Sequence, residues 1–65
     1  MKIGDIIVVR LDNGQIFIGE FASENPTFIE LSKGTVMNGD GRRADIIVDN
    51  YKIFRNCIER ISPLN

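Results

Sequence analysis

Apolar and polar residues alternate along most of this chain with a period of two, the period of a strand rather than a helix. From Ile3 to Leu11, the residues Ile7, Val9 and Leu11 fall on one face and Ile6, Val8 and Arg10 on the other. Asp12-Asn13-Gly14 follows. Asn-Gly between two alternating runs predicts a hairpin, because both residues accept the positive φ of a type I′ turn. The second strand runs from Gln15 to Ser23, with Phe17, Gly19 and Phe21 on one face. A lone glycine inside a strand marks a bend or a close approach of two backbones. Glu24-Asn25-Pro26 ends this strand, since proline removes a ladder donor and restricts the residue before it.

A third strand resumes from Thr27 to Ser32 through Phe28-Ile29-Glu30-Leu31. Lys33 to Asp45 carries Gly34, Asn38, Gly39, Asp40 and Gly41, a composition that predicts a long loop or a mobile hairpin tip. Ala44 to Phe54 reads as the fourth strand, rich in β-branched residues. Arg55-Asn56 reads as a two-residue turn, and Cys57 to Ile61 as a short fifth strand before Ser62-Pro63. No segment holds a helical period over 11 residues. Five short strands joined by tight turns over residues 1–65 predict one all-β domain, a small barrel rather than a sandwich. Ile6 and Val8, Ile16 and Ile18, and Ile46 beside Ile47 make several strands apolar on both faces. One face fills the barrel. The other packs under the long loop or an N-terminal lid, or forms a surface between subunits, the reading favoured for so small a domain.

Size and composition narrow the field. A chain of 65 residues buries only about 60% of the surface its unfolded form exposes, and such domains gain stability from disulfides, metals or oligomerisation. Cys57 is the only cysteine and there is no histidine, which excludes an internal disulfide and argues against zinc. Oligomerisation is what is left. The net charge of −1 and a sequence pI near 5.2 argue against a duplex-DNA binder, which is usually basic. The start, Met1-Lys2-Ile3-Gly4-Asp5, meets an acid at once and predicts no signal peptide. No apolar run approaches the roughly 18 residues of a membrane span. The expectation is a soluble cytoplasmic protein without membrane contact.

Catalysis is not expected either. Cys57 has no histidine base and reads as a small buried apolar residue, and no pair of acids is placed for acid–base work. Phosphate-loop and dinucleotide motifs are missing. Asn38-Gly39-Asp40-Gly41 with Asp45 and Asp49 does not fit the twelve-residue calcium loop. No cofactor and no metal are expected.

The run Val9-x-Leu11-x-Asn13-Gly14-x-x-Phe17-x-Gly19-x-Phe21 resembles the first motif of the Sm, Sm-like and Hfq proteins: alternating aliphatics, an Asp-Gly or Asn-Gly turn, an aromatic, a glycine and an aliphatic. Gly4 sits where these proteins often carry a glycine at the entry to their first strand. Tyr51-Lys52-Ile53-Phe54-Arg55-Asn56-Cys57-Ile58-Glu59-Arg60-Ile61 is similar to their second motif, in which an aliphatic-Arg-Gly turn joins the last two strands. The family's Asp after the second strand is here Asn25, followed by Pro26. Its third-strand Asn falls near Ile29, its turn glycine is Asn56, and the customary N-terminal helix is short or absent. The resemblance implies a strongly bent five-stranded barrel. It also implies a homo-oligomeric ring, typically of six or seven subunits, in which the fourth strand of one copy pairs with the fifth of the next. Single-stranded RNA then binds at the loops near the pore.

Such a site needs stacking faces, donors for bases and cations for phosphate. Arg55 and Asn56 match the pore-side turn of the second motif, where Arg55 is expected to stack on or donate to a base and Asn56 to read an edge, unless the two only form a solvated turn, for which asparagine is well suited. Asn25 and Phe28 occupy the facing loop and strand, with Phe28 the stacking candidate or a core residue. Arg42 and Arg43, with Lys33, form the one local basic cluster, which a ring repeats into a polyanion footprint. Tyr51 is expected on the outer strand face. The rival reading is a small-barrel protein–protein interaction or structural accessory module that binds no nucleic acid, suggested by the acidic pI and the altered pocket residues.

Overall fold

The computed structural model describes residues 1–37 and 43–64, and of 43–48 the backbone. Its elements are five strands: β1 (Ile6–Leu11), β2 (Ile16–Glu24), β3 (Phe28–Met37), β4 (Arg43–Phe54) and β5 (Ile58–Pro63), with a short 3₁₀ turn at Arg55–Cys57. All pairings are antiparallel. They form one sheet in the order β4-β3-β2-β1-β5. The sheet is open: β4 and β5 are its two edges and are joined in sequence by the 3₁₀ turn.

Alternation along the strands places the core as the sequence predicts. Ile7, Val9 and Leu11 of β1 are buried, as are Phe17 and Phe21 of β2. Ile29, Leu31 and Val36 of β3 and Ile53 of β4 join them, with Ile58 and Ile61 of β5 packed against this cluster. Ile7, Val9, Ile29 and Leu31 are completely inaccessible, although the described residues form a single sheet and no second layer. A flat five-stranded sheet is roughly 19 Å wide and only one pleat thick. The Cα trace measures 29 × 21 × 21 Å. The sheet is therefore curled, and its inner face covers itself.

Two devices produce the curl. Gly19 of β2 lies opposite Gly34 of β3, and the two backbones close on each other. A Cβ added at Gly19 would run into the Lys33 carbonyl oxygen and lie 2.9 Å from Gly34 Cα, while one at Gly34 would lie 2.8 Å from the Ile18 carbonyl oxygen. Beside this pair the β2–β3 register shifts between Glu20 and Phe21 and again between Phe21 and Ser23. Bulges of this kind bend a strand and increase its twist.

The structure corrects the sequence reading in several places. The predicted 33–45 loop is shorter, because β3 continues through Gly34 to Met37. Gly34 is a packing requirement there, not a strand breaker. Asn38, Gly39, Asp40, Gly41 and Arg42 lie outside the described residues, as do the side chains of Arg43, Asp45, Ile46 and Ile47. The β1–β2 hairpin is not type I′. Gly14 N–H donates to the Leu11 carbonyl at 3.1 Å, and Gly14 has φ 91 while Asn13 does not enter the positive region. This is a three-residue loop built on a type I turn, with glycine at its left-handed position. Asn13 instead accepts the Gln15 N–H through its side chain at 2.9 Å.

At the N-terminus Ile3 and Gly4 form a turn, with Gly4 at φ 95, so β1 starts at Ile6. Cys57, expected to be buried, is exposed in the 3₁₀ turn, and Ile58 behind it is the residue that packs against the core. Tyr51 shares the inward parity of Ile53 rather than the outer face, and its ring stacks on Phe17 at 4.9 Å between centroids. Asn50 has φ 51, a left-handed residue inside β4 that asparagine tolerates better than most.

Gly19→Ala is expected to lower the free energy of unfolding by about 1–3 kcal/mol through overpacking of backbone against backbone. Ile29→Ala is expected to lower it by about 2–5 kcal/mol through loss of a fully buried side chain. Urea denaturation followed by circular dichroism checks both.

Candidate nucleic-acid interface

The connection between β2 and β3 is held by its own first residue. Asn25 Oδ1 accepts the backbone N–H groups of Thr27 at 2.8 Å and Phe28 at 2.9 Å. Asn25 N–H donates to the Phe28 carbonyl at 3.0 Å. Pro26 sits inside this tight Asx-type turn, where its fixed φ suits the path of the chain.

The 3₁₀ turn after β4 is tied onto the same connection. Arg55 N–H donates to the Thr27 carbonyl at 2.9 Å. Arg55 Nε donates to the Asn25 carbonyl at 2.7 Å, and its Nη2 lies 3.2 Å from Glu24 Oε2. Two turns about thirty residues apart in sequence thus become one surface. The ion pair is solvent-exposed, with side-chain accessibilities of 38% for Arg55 and 45% for Glu24, so its own contribution to stability is about 0–1 kcal/mol. Asn56 is exposed at the tip, where its Oδ1 accepts a weak bond from Cys57 Sγ at 3.5 Å.

Next to these turns lies an aromatic pair. Phe28 and Phe54 are register partners at the ends of β3 and β4. Their ring centroids are 6.3 Å apart, edge to face. Lys52 Nζ stands 5.0 Å over the Phe28 ring, a cation–π geometry. Phe28 is half-buried, whereas Phe54 is 55% exposed. An exposed ring, a lysine, a guanidinium and a side-chain amide on one surface are the groups that single-stranded nucleic acid engages.

Of the residues singled out from sequence, Asn25, Phe28, Arg55 and Asn56 come together here. Arg42 lies outside the described residues. The backbone of Arg43 pairs with Met37 at the far end of β4 from Phe54. Lys33 is midway, opposite Asp49 and Glu20. Ile29 is fully buried, so the third-strand position offers no polar group.

Sequence reasoning missed Phe54 and Lys52. The signal was present in strand parity, because an inward Ile53 forces Phe54 and Lys52 outward. Among the described residues no three or more His, Cys, Asp or Glu side chains gather to hold a metal ion. No helix of the described residues is long and apolar enough to cross a membrane. No family model matches the chain, and no curated protein matches it in sequence.

Asn25→Ala removes an acceptor serving two backbone donors and is expected to lower stability by about 1–2 kcal/mol. Glu24→Gln is expected to change it by less than about 1 kcal/mol. Chemical denaturation of the two variants side by side separates the turn's internal bonds from the exposed ion pair.

Proposed function

We propose that this chain is an Sm-like subunit of a homo-oligomeric ring of six or seven copies that binds single-stranded RNA or scaffolds RNA-associated assemblies. The observation that carries the reading is the strand order. β4 and β5 stand at opposite edges of a single curled sheet, consecutive in sequence and joined by a tight turn. Each edge strand has one neighbour and leaves a row of backbone donors and acceptors without a ladder partner, a liability for a lone domain. Head-to-tail pairing of β4 in one copy with β5 in the next satisfies both edges, and a closing rotation turns that repeat into a ring with no free edge.

The exposed Phe54 ring, Lys52, Arg55 and Asn56 support RNA as the ligand class. A ring repeats them once per subunit, so weak contacts act together. A net charge of −1 suits a binder that depends on stacking more than on phosphate neutralisation. An exposed free thiol at Cys57 fits a reducing, cytoplasmic setting. One observation favours the protein-interaction reading. Arg55 is already engaged by Glu24 and by the Asn25 carbonyl, which gives its guanidinium a structural role in joining the two turns.

Light scattering coupled to size-exclusion chromatography is expected to give a mass six or seven times 7.3 kDa; a monomer overturns the ring. In fluorescence anisotropy with a labelled single-stranded oligoribonucleotide, Phe54→Ala is expected to weaken binding about tenfold, the value of one base stacked on an aromatic ring. The double change Arg55→Ala with Asn56→Ala weakens it further while the protein stays folded. Unchanged affinity in both overturns the RNA site and favours the interaction module, for which a pulldown recovers a protein partner insensitive to ribonuclease.

A further inference from the structure

A second cluster of cations lies on the outer face of the sheet, away from the two turns. Arg10 of β1 and Arg60 of β5 are direct register partners in the antiparallel ladder. Both are exposed. Residues directly opposite in such a pair have Cβ atoms about 4.5–5.5 Å apart, and like charges there destabilise the sheet. Among the described residues no carboxylate forms an ion pair with either arginine; the one ion pair they show is Arg55 with Glu24. Glu59, the acid next to Arg60, falls where the β1–β5 register shifts between Arg10 and Leu11.

The two arginines do not stand on a featureless surface. With Val8, Ile16 and Ser62 they line a depression of about 190 Å³. Val8 is the register partner of Ser62, and Arg10 that of Ile16. The depression is therefore lined by two aliphatic side chains, two arginines and one serine. Nothing in the core requires charge at these positions.

The geometry points to a phosphate-group site between Arg10 and Arg60, on other residues than the proposed RNA surface. Arginine presents planar, forked donors that match tetrahedral oxyanions in a bidentate manner. Two such forks converging on one anion turn a repulsive pair into an attractive triad, with Ser62 as a further donor. The depression accommodates one phosphate group and a few attached atoms, and its aliphatic side chains suit a ribose or the edge of a base. Free phosphate and a nucleoside monophosphate share this chemistry, and binding tells them apart.

The test titrates the intact protein with inorganic phosphate and, separately, with adenosine monophosphate at matched ionic strength. Backbone amide shifts and thermal unfolding are recorded for the wild type, Arg10→Gln, Arg60→Gln and, as a charge control, Lys2→Gln. Amide shifts are expected to centre on Arg10, Arg60 and Ser62, and ligand is expected to raise the melting temperature by linkage. Each arginine change is expected to weaken binding about tenfold or more, while Lys2→Gln leaves it unchanged. Without ligand, Arg60→Gln is expected to melt at or above the wild-type temperature, because relief of the repulsion offsets any lost packing. Tighter binding of adenosine monophosphate makes the nucleotide the source; equal binding makes the phosphate group sufficient. Shifts elsewhere, or binding that survives both arginine changes, overturn the site. A negative RNA result at Phe54 and Arg55 leaves this outcome untouched.

Discussion

At the centre of the sheet two backbones touch with no side chain between them. Gly19 and Gly34 face each other across β2 and β3, and a methyl group on either would drive into the opposite main chain. This contact lets the middle of a five-stranded sheet curl tightly enough to bury its own inner face. The bulges at Glu20–Phe21 and Phe21–Ser23 extend the bend along β2. Without it, Ile7, Val9, Ile29 and Leu31 would need a second layer of structure to cover them, and the described residues form none. A domain of this size has little margin of buried surface, so curvature substitutes for mass.

The same curvature decides what the edges do. With β3 and β2 in the middle, β4 and β5 become the two borders of the sheet, yet the 3₁₀ turn carries the chain from one border to the other in three residues. That short crossing brings Arg55 against the β2–β3 turn, where the Thr27 and Asn25 carbonyls and the Glu24 carboxylate receive it. The exposed aromatic and polar groups cluster at this corner because the fold turns twice there. On the outer face, Arg10 and Arg60 stand opposite each other in the β1–β5 ladder, next to the register shift that Glu59 occupies.

Much of this was legible in the sequence, and the misses have physical causes. Period-two alternation named the strands and the inward faces of β1 and β2 correctly, because one-sided burial imposes that pattern. Glycine was ambiguous. The same residue type ends strands and permits close contact, so Gly34 read as loop until its partner Gly19 was known. Asn13-Gly14 signalled a hairpin but not its loop length, which depends on whether Asp12 belongs to the strand or the turn. Cys57 read as core from its apolar character, but a 3₁₀ turn breaks alternation and leaves it outside. At the candidate surface, Asn25, Phe28, Arg55 and Asn56 were within reach of motif reasoning. Phe54 and Lys52 were legible only as outward positions by strand parity, because what sets them apart is a non-local pairing with Phe28 and Glu30.

The position of Cys57 also gives the molecule a built-in reporter. It is the only thiol in the chain, it is exposed, and it sits one residue from Asn56 and two from Arg55. A maleimide dye or nitroxide spin label attaches there at one per chain, with no engineered cysteine and no competing site to block. In a closed assembly those labels would lie on a regular polygon, and the set of distances between spins would count its vertices directly.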